Sequence, residues 1–193
     1  MVSISVLIQK AIENQVVSFP TDTLPALAVK PSHSELIFEL KQRSYEKPLI
    51  LMVSSVDEIW QYVKGTPEEL TIWQKIAHEY LPGGLTMVLP ASSLIPPTMN
   101  PLNPNSIGVR VPNSSIAQEI LRHTGGMATT SANLSGEEAL TDMSAIPQKF
   151  PSVHVLDYDN SKIQNTGVAS TVIKWTGENW QTLRQGKIII SNK

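Results

Sequence analysis

Residues 48–53 read Pro48-Leu49-Ile50-Leu51-Met52-Val53, and they restrict the fold class more than any other stretch of the chain. Leu49–Val53 is continuously apolar and has the length of a buried strand. The sheet that contains such a strand must be covered by other elements, and the sequence has helical spacing both before and after this stretch. This repeated change between helical and strand-like spacing predicts a mixed α/β (α+β) fold rather than a helix bundle or a β-sandwich.

Helices and strands alternate on both sides of this strand. On its amino-terminal side, Leu36, Ile37 and Leu40 predict an amphipathic helix at Ser34–Arg43. The other predicted helices are Ser5–Asn14, Val56–Val63, Pro67–Tyr80 and Ser115–Arg122. The other predicted strands are Val16–Phe19, Leu85–Leu89, Ile107–Val111, Met127–Thr130, Val153–Leu156, Val168–Trp175 and Trp180–Leu183.

The segments between these elements are predicted to be loops. Five prolines between positions 90 and 104 predict a stiff, extended loop. Ser161–Gly167 is polar enough to predict a mobile loop, and Ser191–Lys193 is predicted to fray. The sequence contains no internal repeat and no linker, so we expect one domain over residues 1–193.

The composition excludes several classes of protein. The chain has 193 residues, of which 41% are hydrophobic and 17% charged, which is typical of a globular protein. The absence of cysteine excludes a disulfide scaffold, a thiolate nucleophile and an iron–sulfur cluster. The start of the chain has no signal-peptide pattern, so we expect a cytoplasmic protein without a membrane partner. A net charge of −2 gives no support to nonspecific nucleic-acid binding by bulk charge.

Common catalytic motifs are missing. The sequence contains no P-loop, no dinucleotide-binding glycine motif after a strand and no nucleophile elbow. The four histidines are each at least thirty residues apart and have no ligand spacing, so we expect no metal site held by the protein. No candidate nucleophile is accompanied by a base.

Arginines and hydroxyl groups form the positive signal. Arg43, Arg110 and Arg184 lie in or beside turn-rich segments, and arginine binds carboxylate or phosphate with two parallel hydrogen bonds. Thr21–Thr23 and Thr129–Gly136 each follow a predicted strand. Solvated surface charge or helix capping explains any one of these features about as well. Together they predict an anion-binding pocket built without a P-loop.

Seven short motifs, taken in order, resemble those of the YrdC/TsaC family and extend over nearly the whole chain. They are Pro20-Thr21-Asp22-Thr23, Lys41-Gln42-Arg43 with Lys47-Pro48-Leu49-Ile50, Pro82-Gly83-Gly84-Leu85-Thr86, Val109-Arg110-Val111-Pro112, Ser131-Ala132-Asn133-Leu134-Ser135-Gly136, Ser170-Thr171 and Leu183-Arg184-Gln185-Gly186. Each motif alone is weak, and their common order gives the resemblance its specificity.

The resemblance implies an L-threonylcarbamoyladenylate synthase, which is a nucleotidyltransferase. Such an enzyme makes threonylcarbamoyl-AMP and pyrophosphate from ATP, L-threonine and bicarbonate, and a separate enzyme then transfers the product to an adenosine of tRNA. The implied fold is a single YrdC-like domain, a twisted mixed β-sheet flanked by helices. Some members of the family bind double-stranded RNA, so RNA or tRNA is a further partner to consider. Mg²⁺ is expected to arrive with ATP.

The resemblance also assigns roles to individual residues. It implies that Lys41 and Arg43 are catalytic. The implied ATP-binding residues are Arg43, Lys47, Ser106, Ser131 and Arg184. The implied threonine-binding residues are Thr23, Arg110, Thr129 and Ser170. No residue is assigned to a metal ion.

One departure from the family pattern leaves two alternatives open. The family commonly has a Tyr-Gly pair after its Pro-Thr-[Glu/Asp]-Thr motif, whereas this chain has Leu24-Pro25-Ala26. Proline fixes φ and alanine does not readily adopt a positive φ, so we expect a changed pocket wall near Thr23. The alternatives are an RNA-binding relative with altered or lost synthase activity, and an enzyme that adenylates a different carbamate or carboxylate.

Overall fold

The structure of the protein is a computed structural model that describes residues 1–159 and 165–190. The predicted mobile loop at 161–167 lies partly outside the described residues, and the predicted frayed tail at 191–193 lies wholly outside them.

A nine-stranded mixed sheet forms the centre of the described structure and confirms the predicted fold class. Its strands are β1 (Val17–Phe19), β2 (Ala26–Val29), β3 (Ile50–Met52), β4 (Leu85–Pro90), β5 (Ser106–Arg110), β6 (Met127–Ser131), β7 (His154–Val155), β8 (Thr171–Trp175) and β9 (Trp180–Arg184). Their order across the sheet is β7-β1-β2-β6-β3-β5-β4-β8-β9. The β1–β7, β3–β5 and β4–β8 pairs are parallel, and the other neighbouring pairs are antiparallel.

Helices flank the sheet. They are α1 (Ile4–Ile12), α2 (Glu35–Lys41), α3 (Val56–Ile59), α4 (Pro67–Tyr80), α5 (Ser115–Thr124) and α6 (Ile146–Lys149). Short 3₁₀ turns occupy Pro31–His33, Pro97–Met99 and Met143–Ala145. In the described part of the chain, no helix combines the length and the apolar character that crossing a membrane requires.

The apolar run at residues 49–53 lies in the middle of this sheet, as its composition predicts. Leu51 and Val53 are fully buried in the core that also contains Trp73 and Ala77 of α4. Ile50 and Met52 point to the opposite face and line a cavity. One face of the strand is therefore buried against the core of α4. The other face contributes to the floor of the cavity, and its Met52 also belongs to a second core that includes residues of α1 and α5.

The sequence predictions fail at several places. The helix α6 was not predicted, and the strand predicted to begin at Val168 begins at Thr171. The strand β2 was not predicted, and its alanine-rich stretch has no strong β-propensity. The helix predicted to end at Arg43 ends at Lys41, because Gln42 adopts a left-handed conformation. The helix predicted over 56–63 ends at Ile59. The proline-rich loop contains the 3₁₀ turn Pro97–Met99 and is therefore not extended throughout.

Candidate active site

A cavity of about 710 Å³ opens on one face of the sheet. Side chains alternate between the two faces of a strand, so every second residue of the central strands faces this cavity. The floor is formed by Ile50 and Met52 of β3, Thr86 and Val88 of β4, Ser106, Gly108 and Arg110 of β5, Thr129 and Ser131 of β6, and Val172 and Lys174 of β8. A volume of this size is in the range of small-molecule binding sites.

Positive charge dominates the cavity wall. Among the described residues, five cationic side chains line it, namely those of Arg43, Lys47, Arg110, Lys174 and Arg184. Glu46 is the one described carboxylate among the lining residues. The chain as a whole carries a net charge of −2, so the positive charge is concentrated locally where an anion would bind.

Arg110 is almost completely buried and is held by three hydrogen bonds. Its Nη2 forms an ion pair of 2.7 Å with Oδ1 of Asp22, its Nη1 donates to Oγ1 of Thr23 at 2.7 Å, and its Nε donates to the carbonyl of Gly83 at 3.0 Å. Burial lowers the pKa of Arg110, although Asp22 opposes this effect. A guanidinium has five N–H groups, so two remain for a ligand in the cavity.

Arg184 is attached to Ser170 by two hydrogen bonds. Its Nε donates to the Ser170 carbonyl at 3.0 Å, and its Nη2 donates to Ser170 Oγ at 3.1 Å. Ser170 Oγ is also 2.8 Å from Oγ1 of Thr86, which is fully buried. Three guanidinium N–H groups of Arg184 stay available on the cavity side.

Arg43 folds back on the turn that follows it. Its Nε donates to the carbonyl of Lys47 at 2.7 Å and its Nη2 donates to the carbonyl of Pro48 at 3.1 Å. Burial, together with the nearby charge of Arg184, lowers the pKa of Arg43. An anion bound between the two guanidiniums would relieve this repulsion.

Lys41 lies behind the cavity wall and is not one of the lining residues. Its Nζ donates to the carbonyl of Ser131, to Oδ1 of Asn133 at 3.3 Å and to Oγ1 of Thr130 at 3.4 Å. Burial, together with the nearby charges of Arg43 and Lys47, lowers its pKa to about 7. Lys41 thus joins the end of α2 to the end of β6.

The opposite directions of Lys41 and Arg43 result from Gln42 between them. Gln42 has φ 49° and ψ 44°, which is the left-handed conformation that often ends a helix. The backbone N–H groups of Gln42 and Arg43 donate to the carbonyls of Glu39 and Phe38, which is the pattern of a Schellman motif. The chain reverses there, so Lys41 points inward and Arg43 points to the cavity.

The predicted hydroxyl residues also surround the cavity. Thr129 Oγ1 donates to the carbonyl of Ile50 at 3.0 Å, and Ser131 Oγ donates to Oδ1 of Asn133 at 2.6 Å. Ser106 Oγ is held by the side-chain amide of Asn100 at 3.1 Å. The structure thus brings nine of the ten predicted site residues to one cavity, the exception being Lys41. Their predicted roles as ligands of ATP or threonine stay predictions.

Sequence reasoning missed three residues at this site. Asp22 was seen only as part of a hydroxyl cluster, although it pairs with Arg110 from 88 positions away. Thr86 stood in a quoted motif without a role, and it contacts Ser170. Lys174 was overlooked inside a predicted strand, where only its alternation with Ile173 and Trp175 could have placed it on the open face.

The departure at Pro25-Ala26 places no strain on the backbone. Ala26 begins β2 and pairs with Phe19 and Ser131, and its φ is not positive. The carbonyl of Pro25 accepts a hydrogen bond of 3.0 Å from the N–H of Ala132. The strand therefore needs no glycine at this position.

Metal-ligating side chains do not gather at the cavity. Within residues 1–159 and 165–190, no group of three or more histidine, aspartate or glutamate side chains is placed to hold a metal ion.

Known proteins resemble this chain in sequence and in fold. A curated threonylcarbamoyl-AMP synthase from Pyrococcus abyssi is 32% identical over 170 residues, which is 85% of this chain and 48% of that protein. A threonylcarbamoyl-AMP synthase from Histophilus somni is 33% identical over 69% of this chain and 74% of its own length. The crystal structure of P. abyssi Sua5 complexed with L-threonine superposes with a TM-score of 0.82 at 29% identity, covering 95% of this chain and 54% of that one.

The match extends over most of this chain but only part of several relatives. The chain spans about half the length of the first curated relatives it matches. The model of the Sua5/YciO/YrdC family, whose description reads "Telomere recombination", matches residues 10–186. With nearly all of the described fold included in that range, the chain belongs to the Sua5/YciO/YrdC family.

Proposed function

We propose that the protein is a threonylcarbamoyl-AMP synthase, which joins L-threonine, bicarbonate and ATP to give threonylcarbamoyl-AMP and pyrophosphate. The observation that carries this proposal is the convergence of Arg43, Arg110 and Arg184 on one cavity with a single described carboxylate in its wall. Relatives that bear this activity in their names, and one whose structure contains L-threonine, support the same assignment.

The strand register supports a division of the cavity into two ends. Ser106 and Arg110 face the cavity from the same strand, four residues and therefore roughly 13 Å apart. Ser131 lies level with Ser106, and Thr86 lies level with Arg110. ATP would occupy the end at Ser106, Ser131, Arg43 and Lys47. Threonine would occupy the end at Arg110, Thr23 and Ser170, with Thr129 between the two.

This division gives each arginine a role in the reaction. The two free N–H groups of Arg110 fit the carboxylate of threonine in a bidentate manner. The threonine amine adds to carbon dioxide or bicarbonate, and the resulting carbamate oxygen attacks the α-phosphorus while pyrophosphate leaves. Arg184, which lies beside Ser170 at the threonine end, would meet the phosphate next to the carbamate, and Arg43 would stabilise the remaining phosphates.

No covalent enzyme intermediate is needed in this reaction. The protein's task is to hold two mutually repelling anions at short distance and to stabilise the charge on phosphate oxygens. Lys41, for which the resemblance implies a catalytic role, would act by holding the carbonyl of Ser131 and the side chain of Asn133. We propose that Mg²⁺ enters with ATP as part of the substrate.

The biological setting is part of the same proposal. The product would pass to a separate enzyme that transfers the threonylcarbamoyl group to an adenosine of tRNA. A protein that serves tRNA in this way would reside in the cytoplasm, which cell fractionation would test.

The direct test is to follow pyrophosphate release with ATP, Mg²⁺, bicarbonate and L-threonine. We expect release that depends on threonine and on bicarbonate, and that is strongly reduced in Arg184→Ala but not in Arg122→Ala, whose arginine is exposed on α5. Serine and other amino acids, used in place of threonine, test whether the cavity wall at Pro25-Ala26 changes selectivity. Absence of threonine-dependent release would contradict the proposal, and release with another amino acid alone would favour a different carbamate substrate.

The RNA-binding alternative predicts a different result. Salt-dependent binding of duplex RNA that survives Arg43→Ala, without any binding of nucleotide, would favour an RNA-binding relative that lacks synthase activity.

A further inference from the structure

Hydrogen bonds connect the side chains of Thr86, Ser170 and Arg184 at the threonine end of the cavity. Thr86 Oγ1 is 2.8 Å from Ser170 Oγ, and Arg184 Nη2 donates to the same Ser170 oxygen at 3.1 Å. Arg184 also donates through Nε to the Ser170 carbonyl, so it fixes Ser170 through both backbone and side chain. Thr86 is completely buried and Ser170 is 3% exposed.

The direction of the Thr86–Ser170 hydrogen bond follows from the partners available. In the described part of the chain, Thr86 Oγ1 has no hydrogen-bond partner other than Ser170 Oγ. If Ser170 were the donor, the Thr86 proton would be buried without an acceptor, which is unfavourable. Thr86 is therefore the donor, and Ser170 Oγ accepts from both Thr86 and Arg184.

This assignment leaves one proton, that of the Ser170 hydroxyl, without a protein partner. Both acceptor positions of Ser170 Oγ are filled, so the hydroxyl can interact with a ligand only as a donor. Ser170 lines the cavity, and the group that it meets must be a hydrogen-bond acceptor. In the reaction proposed above, that acceptor is an anionic oxygen of the carboxylate or carbamate of the amino acid.

We infer that Thr86 is a positioning residue, which holds Ser170 so that its hydroxyl donates to an anionic oxygen of the amino-acid substrate. Although Thr86 belongs to the cavity floor, its side chain is completely buried and its hydroxyl is bonded to Ser170, so it acts through Ser170. The inference rests on the proposed function and adds to it a residue that sets the direction of a hydrogen bond to threonine rather than to ATP.

The test compares Thr86→Val, Thr86→Ser, Ser170→Ala and the double variant Thr86→Val/Ser170→Ala in the pyrophosphate assay. Thr86→Val has nearly the shape of threonine but no hydroxyl, so Ser170 loses its fixed orientation. We expect kcat/KM for L-threonine to fall about 10- to 100-fold, as for loss of a hydrogen bond to a charged group. The KM for ATP should stay within about twofold, and Thr86→Ser should restore most of the activity.

The double variant separates positioning from a general structural effect. If Thr86 acts only through Ser170, Thr86→Val has no further effect in the Ser170→Ala background. Thr124→Val is the matched control, because Thr124 donates to a backbone carbonyl at the end of α5, away from the cavity. It should leave both KM values unchanged.

Three results would overturn the inference. These are additive losses in the double variant, a KM effect of Thr86→Val that is equal for ATP and threonine, and a lowered melting temperature with unchanged kinetics. Wild-type protein without threonine-dependent activity would instead refute the proposed function, and the inference with it. The two failures are therefore distinguishable.

Discussion

Arg43 reaches the cavity from a partly exposed position, so its removal should affect catalysis more than folding. Its hydrogen bonds go to the carbonyls of Lys47 and Pro48, which belong to an exposed turn and can be solvated without it. For Arg43→Ala we expect a loss of roughly 2–4 kcal/mol of transition-state stabilisation, measured as kcat/KM, with little change in melting temperature. Unchanged kinetics would make Arg43 a surface charge.

Arg110 differs, because its removal should also destabilise the fold. Arg110 is 3% exposed, and its loss leaves Asp22 without its ion-pair partner. We expect Arg110→Ala to lower the free energy of unfolding by about 3 kcal/mol in denaturant titration. Removing both partners, in Asp22→Ala/Arg110→Ala, should cost less than the sum of the single losses. Additive losses would contradict this account.

Lys41 should make stability depend on pH. Its pKa is lowered to about 7 from an ordinary 10.5, so between these values the unfolded chain binds a proton that the folded chain does not. Stability contributed by this group therefore rises as pH increases from 7 towards 10.5. The gain between pH 7 and pH 9 should be on the order of 2 kcal/mol. The same titration of Lys41→Met gives the reference, and equal pH slopes of the two proteins would be evidence against the shift.

The helix α4 packs on the face of the sheet opposite the cavity, and a capping motif stabilises its first turn. Thr66 and Glu69 form a capping box, and Glu69 also accepts a hydrogen bond of 2.8 Å from Nε1 of Trp175. Thr66→Ala should lower the free energy of unfolding by about 1 kcal/mol and leave the KM values unchanged. Thr71→Ala, on the exposed side of the same helix, should change stability by less than about 0.5 kcal/mol. Equal effects of the two variants would argue against the cap.

Elements with strong local signals were predictable from the sequence, and those without were not. The bounds of α4 agree with the prediction because Thr66, Pro67 and Glu69 mark its start. The strand β2 was missed because Ala26–Val29 is short and follows a proline, and only its pairing with β1 and β6 stabilises it. The end of α2 was placed two residues late, since nothing in its apolar spacing reveals the left-handed Gln42.

The whole molecule is acidic but has a cationic cavity, so salt should weaken the binding of the two proposed substrates unequally. Five cationic side chains line the cavity, and several are partly exposed and therefore screened by salt. The Kd of a nonhydrolysable ATP analogue should rise several-fold between 50 mM and 500 mM NaCl. The Kd of zwitterionic L-threonine should change much less. Calorimetric titration checks both values, and equal salt dependence would contradict this charge distribution.

The residue types that form the site were predictable from the sequence, whereas the contacts between them were not. Arginines and hydroxyls at strand ends could be recognised along the chain because their chemistry suits anions. That Asp22 neutralises Arg110, or that Thr86 orients Ser170, depends on strand pairing between distant segments, and no local pattern contains it. The resemblance implies that Lys41 is catalytic, yet its side chain lies behind the cavity wall and is not among the lining residues.

The left-handed residue Gln42 also limits where the chain can change in length. With one residue inserted or deleted between Lys41 and Arg43, the lysine and the arginine could not both keep their present directions. The contact of Lys41 with Ser131 or that of Arg43 with Lys47 would then be lost. The turn at residues 44–48 is mostly exposed, but its Lys47 and Pro48 carbonyls hold Arg43. Natural relatives and engineered libraries should therefore reject insertions between Lys41 and Arg43.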